Sequence, residues 1–166
     1  MLLAVISDTH ITRGSRVLPE ECLERLRAAD LILHGGDLVT PDVLADLEAL
    51  GRPVEAVHGN MDDHEVRGLL PSARMVVAAG ASIAMVHDAG AADGRLARLR
   101  RRFPDADAVV FGHSHIPLLE RDAATGFQIF NPGSPTDRRR QPTHTMGLAR
   151  VDDAGTVTFE HVDLGA

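Results

Sequence analysis

Seven residues of this 166-residue chain stand out, by type and spacing together, as candidates to hold divalent metal ions: Asp8, His10, Asp37, Asn60, His87, His113 and His115. Imidazole is the commonest protein ligand for such ions, and the chain carries nine histidines against five phenylalanines and no tyrosine or tryptophan. Two carboxylates, one amide oxygen and four imidazoles exceed what one first-row ion needs. If one Asp bridges two ions, each has about four protein ligands and keeps open positions for water and substrate. Such a pair, about 3.5–4 Å apart, can clamp the attacking and leaving oxygens of an in-line displacement. Two dications against two carboxylates leave the site net positive, which suits a phosphate-bearing substrate. Taken singly, the signals are bland. Asp-x-His is most simply a turn residue beside a surface histidine, Gly-Asp and Gly-Asn are turn signals, and a histidine after a strand is commonly a rim residue. Gly112-His113-Ser114-His115 is more specific, because histidines at i and i+2 directly after a buried strand are uncommon in an ordinary loop.

What joins these residues is the set of elements that precede them. Leu2 to Ile6 runs into Asp8 and His10, Leu31 to Leu33 into Asp37, Val54 to Val57 into Asn60, Ser82 to Val86 into His87, and Ala108 to Phe111 into His113 and His115. All five runs read as short buried strands, and ligands of α/β sheets bind beyond the carboxyl ends of strands. The glycines before Asp37, Asn60 and His113 permit tight turns and close backbone approach. Helical patterns alternate with the strands: Pro19 to Ala28, Pro41 to Leu50 with Thr40 as N-cap and Gly51 as stop, a short Asp63 to Leu70, and an Arg-rich Gly94 to Phe103. Met75 to Ala79 and Ser82 to Val86 read as a hairpin joined at Gly80. Beyond Phe111 come strands at Ile116 to Glu120, Phe127 to Phe130, Met146 to Val151 and Val157 to Val162. The class is therefore α/β, with two packed sheets and helices outside.

The length suits a single domain over residues 1–166. A net charge of −7 and scarce aromatic residues argue against a nucleic-acid or anionic-membrane partner. All 17 basic residues are Arg. Cys22 is the only cysteine, so no intrachain disulfide can form. The longest apolar stretch, Met75 to Val86, is too short to span a bilayer, and Met1 opens without a basic, signal-like segment; the expected location is the cytoplasm. A homo-oligomer is left open.

The ordered set Asp8-x-His10, Gly36-Asp37, Gly59-Asn60, His87 and Gly112-His113-x-His115 resembles the calcineurin-like metallophosphoesterases over nearly the whole chain. The chain length and the run Asn131-Pro-Gly-Ser134 resemble the small phosphodiesterase subgroup of that family. The resemblance implies a four-layer αββα sandwich and a small phosphate-ester substrate. It implies that Asp8, His10, Asp37 and His115 hold one metal ion and that Asp37, Asn60, His87 and His113 hold the other, with Asp37 as bridge. It further implies catalytic roles for Asp37, Asn60 and His113, and a metal-bridging hydroxide as nucleophile. Manganese is the first expectation, with iron, nickel, cobalt or zinc as alternatives. Two departures stand out. Many family members carry His after the Asn, to assist the leaving group, where this chain has Met61. His87 is commonly followed by Gly, where this chain has Asp88. The subgroup also includes a retromer subunit with a degraded metal site, so a non-catalytic interaction module is the alternative; the seven intact ligand positions favour the enzyme. Secondary expectations are that Asn131 to Ser134 form a tight turn or border the metal edge, and that Arg138 to Arg140 are solvated or meet a second phosphate substituent. His34, His58 and His64 are expected to lie behind the ligands or on the surface, with proton donation by one of them as the alternative to a missing acid, and the arginines of the 94–103 helix to form a solvated face.

Overall fold

A computed structural model of the chain describes residues 1–12 and 16–166. The elements run β1 (Leu2–Ile6), α1 (Glu20–Ala28), β2 (Leu31–His34), α2 (Pro41–Glu48), β3 (Val54–Ala56), α3 (His64–Leu69), β4 (Ala73–Ala78), β5 (Ala81–Val86), α4 (Arg95–Arg102), β6 (Ala108–Val110), β7 (Leu118–Arg121), β8 (Gln128–Asn131), β9 (Thr145–Val151) and β10 (Val157–Asp163). They form two five-stranded sheets, in the orders β10-β9-β1-β2-β3 and β4-β5-β6-β8-β7. Each sheet is mixed, with a parallel trio: β1, β2 and β3 in the first, β5, β6 and β8 in the second.

The period-2 alternation of strands assigns their two faces. Leu3, Val5, Leu31 and Leu33 point between the sheets, against Ile83, Met85, Val110 and Phe130. Ala4, Ile6 and Ile32 point the other way, onto Cys22 and Leu26 of α1 and Val43 and Leu47 of α2. Ala84, Val109 and Ile129 receive Leu99 of α4 on the far side. The layers are therefore helix, sheet, sheet, helix. Covering both faces of the parallel trios explains why their sequences read as unbroken apolar runs.

Local differences from the sequence reading have physical causes. The hairpin turns at Ala79-Gly80, both at positive φ, so β5 begins at Ala81. Strand β7 begins at Leu118, after Pro117, which has no backbone N–H to give. Asp63, not part of α3, caps it by accepting from the Val66 N–H at 2.8 Å. Thr40 occupies the N-cap of α2 but makes no side-chain capping bond there. The arginines of α4 are more than a solvated face. Arg98 donates to the carbonyls of Ala89 and Ala91 at 2.8 and 2.5 Å, Arg100 to Ala106 at 2.9 Å, and Arg95 lies over the Phe111 ring. Among the described residues, no helix is long and apolar enough to cross a membrane.

Candidate metal centre

The centre is built by loops that leave the strands under strain. Among the described residues eight non-glycine positions have positive φ, and five of them are Asp8, His10, Asp37, His113 and His115. A non-glycine residue held there costs about 1–3 kcal/mol and persists only where its surroundings fix it. Here those surroundings are hydrogen bonds between loops. The Asp8 N–H donates to the Gly36 carbonyl at 2.9 Å and the His10 N–H to the Asp37 carbonyl at 3.1 Å. The Ser134 hydroxyl donates to the Asp8 carbonyl at 2.8 Å, and the His113 N–H to Asp8 Oδ2 at 3.0 Å. Two glycines let these loops approach. A Cβ at Gly59 would collide with the Asp37 carboxylate, and one at Gly112 with the Ser7 hydroxyl and Asp8 Oδ2.

All seven sequence-predicted side chains meet at this edge. Asp8 Oδ1 lies 3.3 Å from His115 Nε2 and 3.9 Å from His10 Nε2, and the two imidazole nitrogens face each other at 3.2 Å. Asp37 Oδ2 lies 3.5 Å from His10 Nε2 and 3.3 Å from His87 Nε2, so one oxygen reaches both sides of the cluster. Asn60 Oδ1 lies 3.1 Å from His87 Nε2 and 2.8 Å from His113 Nδ1. Asp8 clusters with His10 and His115, and also with Asp37 and His87, all ligand atoms in each group falling within 4.8 Å of one another. Asp8 thus borders both halves. His113 lies outside these two tight groups and joins the centre through Asn60; both are exposed.

The donor set fits divalent cations. His87 Nδ1 faces the Gly35 carbonyl at 2.8 Å and His115 Nδ1 the Asp137 carbonyl at 2.5 Å. A ring nitrogen facing a carbonyl carries the proton, which turns the Nε2 lone pair toward the cluster. Burial pushes the Asp8 carboxyl up to about 7, against the His87 charge and the Ser7 hydroxyl that favour its ionised form. A cation beside it reverses that balance. Burial also lowers His115 to about 4 and depresses His10, the latter against the Asp37 charge. Burial would raise Asp37 too, but the hydrogen bond and charge of His87 and the Met61 N–H hold it below the ordinary carboxylate range. Conversely, burial would lower His87, yet its bond to Asp37 and the charges of Asp8 and Asp37 raise it.

Several supporting residues are not apparent from the sequence. Asp62, buried, accepts from the N–H groups of Asp37 (3.1 Å), Val39 (2.6 Å) and Gly59 (2.6 Å). It ties the loop after β2 to the loop after β3. In the sequence it is one of two adjacent aspartates in a turn, and nothing separates it from Asp63. Asn131, at the end of β8, donates to the Gly112 carbonyl at 2.8 Å, so the 131–134 run does border the centre. His34 is fully buried and lowered to about 3, chiefly by burial. Its Nδ1 accepts from the Gly36 N–H and its Nε2 faces Thr9, so it is a neutral strut and no proton donor. His64 opens α3 on the surface, and His58 lines a groove next to Asn60.

The profile of the calcineurin-like phosphoesterase superfamily domain matches residues 1–154. The chain belongs to this family. As a calcineurin-like phosphoesterase it is 37% identical over 155 residues to a probable metallophosphoesterase of Methanothermobacter thermautotrophicus, covering 92% of this chain and 87% of that one. Its fold is that of Vps29 from Entamoeba histolytica, solved in complex with zinc (TM-score 0.76, 24% identity, 98% and 99% of the two chains). It is also that of an archaeal phosphodiesterase (TM-score 0.76, 18% identity, 99% and 100% of the chains). The phosphoesterase fold and the Asp/His clusters of the centre therefore agree on a metal-binding hydrolase.

Proposed function

We propose that residues 1–166 form one catalytic domain, a phosphodiesterase that works with two divalent metal ions. Asp8, His10, Asp37 and His115 would hold one ion, and Asp37, Asn60, His87 and His113 the other. The observation that carries this reading is the shared Asp37 Oδ2, 3.5 Å from His10 Nε2 and 3.3 Å from His87 Nε2. When bound, such ions lower the pKa of water and neutralise charge on phosphoryl oxygens. The chain's own residues position that chemistry. The Met61 N–H, 2.8 Å from Asp37 Oδ1, occupies one carboxylate oxygen and leaves Oδ2 to be shared. The carbonyls of Gly35 and Asp137 fix the rings of His87 and His115. Asn60 and His113, the two exposed members, face the approaching substrate. In the reaction, water oxygen bonds to phosphorus as one P–O ester bond breaks, giving a phosphomonoester and an alcohol. The mixed oxygen and nitrogen donors suit manganese, and also iron, nickel, cobalt or zinc.

The test is hydrolysis of bis(nitrophenyl) phosphate by metal-stripped protein to which each metal is returned, with elemental analysis after desalting. The reading expects about two ions per chain and metal-dependent turnover. Asp37→Asn should abolish turnover, and His113→Ala should reduce it by about 100-fold or more by emptying one position of an ion's shell. Near wild-type rates in both folded variants would assign the activity elsewhere and leave a non-catalytic interaction module as the better reading.

A further inference from the structure

A shallow groove of about 380 Å³ opens from Asn60, His87 and His113 and runs away from the centre. One wall comes from the loop after β3 and from α3, with His58 and Arg67; the other comes from the end of β5, the loop that follows it and α4, with Asp88 and Arg102. We infer that Arg67 and Arg102 form a subsite for an anionic group on the ester arm that the phosphodiester keeps. The inference rests on the phosphodiesterase reading and adds a substrate class to it.

The charge pattern carries the argument. Among the described residues Arg16, Arg25, Arg27 and Arg74 pair with carboxylates and the other arginines do not, so position and not the lack of an ion pair sets Arg67 and Arg102 apart. These two are the described arginines that line the groove opening from the centre. One amino group of Arg67 donates to the Asn60 carbonyl at 2.7 Å, which anchors the guanidinium beside a site residue and leaves its remaining N–H groups free to face the groove. Arg102 lies over the Phe103 ring, an apolar support that uses none of its donors. Asp88 is the opposing charge in the groove. Its Oδ1 is engaged by the Gly90 N–H at 2.7 Å, and two arginines against one carboxylate leave the groove positive. A phosphodiester carries one negative charge, which the metal ions meet. Two further guanidinium groups along the same groove call for a second anion, and guanidinium grips carboxylate or phosphate in a fork.

Three nitrophenyl diesters that differ only in the retained arm test this: carboxymethyl, phosphonomethyl and the uncharged carbamoylmethyl. The expected result is a preference of about tenfold in kcat/KM for the anionic arms over the amide, the size of one partly exposed charge-assisted contact. That ratio should fall toward unity in Arg102→Gln and in Arg67→Gln. It should persist in Arg101→Gln, one residue along α4 and outside the groove. Which anionic arm is faster separates a carboxylate subsite from a phosphate subsite. An independent readout is the guanidinium Nε–H NMR signals of Arg67 and Arg102 during titration with carboxymethyl phosphate, the product. Both should shift, and carbamoylmethyl phosphate should shift them far less. Equal rates on all three arms, with both arginine signals unmoved, would overturn the subsite while leaving the phosphodiesterase standing. No turnover of any diester, with arginine signals that still respond to carboxymethyl phosphate, would instead sink the phosphodiesterase.

Discussion

Met61 shows how much one side chain decides. It follows Asn60 and is 54% exposed at the rim of the centre, and its thioether has no proton to give a departing alkoxide. The role left to the residue is that of its backbone N–H, which holds Asp37 Oδ1. A positioned acid is worth about 10²–10⁴-fold, so the rate should depend steeply on leaving-group acidity. The check is log kcat/KM against leaving-group pKa for a series of aryl and alkyl diesters. A steep negative slope is expected for wild type and a shallower one for Met61→His. A flat wild-type slope would assign proton donation to another group. Of the three histidines considered from the sequence, His34 is sealed and neutral, and His58 is the one on the groove wall. His58→Ala would then steepen the slope.

At the level of elements, the centre depends on the loops after β2 and β3 keeping one relative position. Asp62 fixes it with three accepted N–H bonds, two of them at 2.6 Å. A buried donor left without a partner costs about 1–3 kcal/mol, so Asp62→Ala should lower unfolding stability by about 3 kcal/mol, read from the urea midpoint. Because the Asp37 and Gly59 amides are among those released, metal affinity should fall as well. A stability loss with unchanged metal affinity would confine Asp62 to folding. The arginines of α4 work in a similar way on the other sheet. Arg98 gathers the carbonyls of Ala89 and Ala91 and so shapes the stretch that follows His87 and Asp88.

On the scale of the whole molecule, the centre is where two sheets are joined. Asp8, His10, Asp37 and Asn60 come from the first sheet's loops, and His87, His113 and His115 from the second's. Cations bound there would hold the sheets together and stabilise the folded state by mass action. Loading with manganese or zinc should raise Tm, and a chelator should reverse it. The pH dependence follows from the shifts. Between 3.8 and about 7 the metal-free native state keeps the Asp8 proton that the unfolded chain has lost, so stability falls as pH rises through that window. The raised His87 has the same sign, its contribution being lost as pH rises through its folded pKa. His34 and His115 act oppositely. From about 3 and about 4 up to 6.5 the unfolded chain binds the protons that they refuse, so their contribution to stability rises with pH. Between 6.5 and about 7 the Asp8 and His87 effects are no longer offset by these histidines. Metal uptake at pH 6.5 should therefore release about one proton or more per chain. Measured in weak buffer, a release of none would contradict the buried Asp8 acid.

The sequence by itself determined the α/β class, with two packed sheets and helices outside, and the identity of the seven clustered residues, while the four-layer αββα form was what the family resemblance implied. Unbroken apolar runs mark strands covered on both faces, and a chelating residue after each of five strands needs only the parallel arrangement of those strands to converge. Tertiary structure alone decided the rest. That Asp37 Oδ2 stands between His10 and His87 depends on the left-handed backbone at five of the seven residues, a conformation that residue type does not encode at aspartate or histidine. Whether His34 is a donor or a strut, and whether Asp62 is a turn residue or the tie between two loops, depends on burial and on partners distant in sequence. Those follow from how the sheets pack and not from any local pattern.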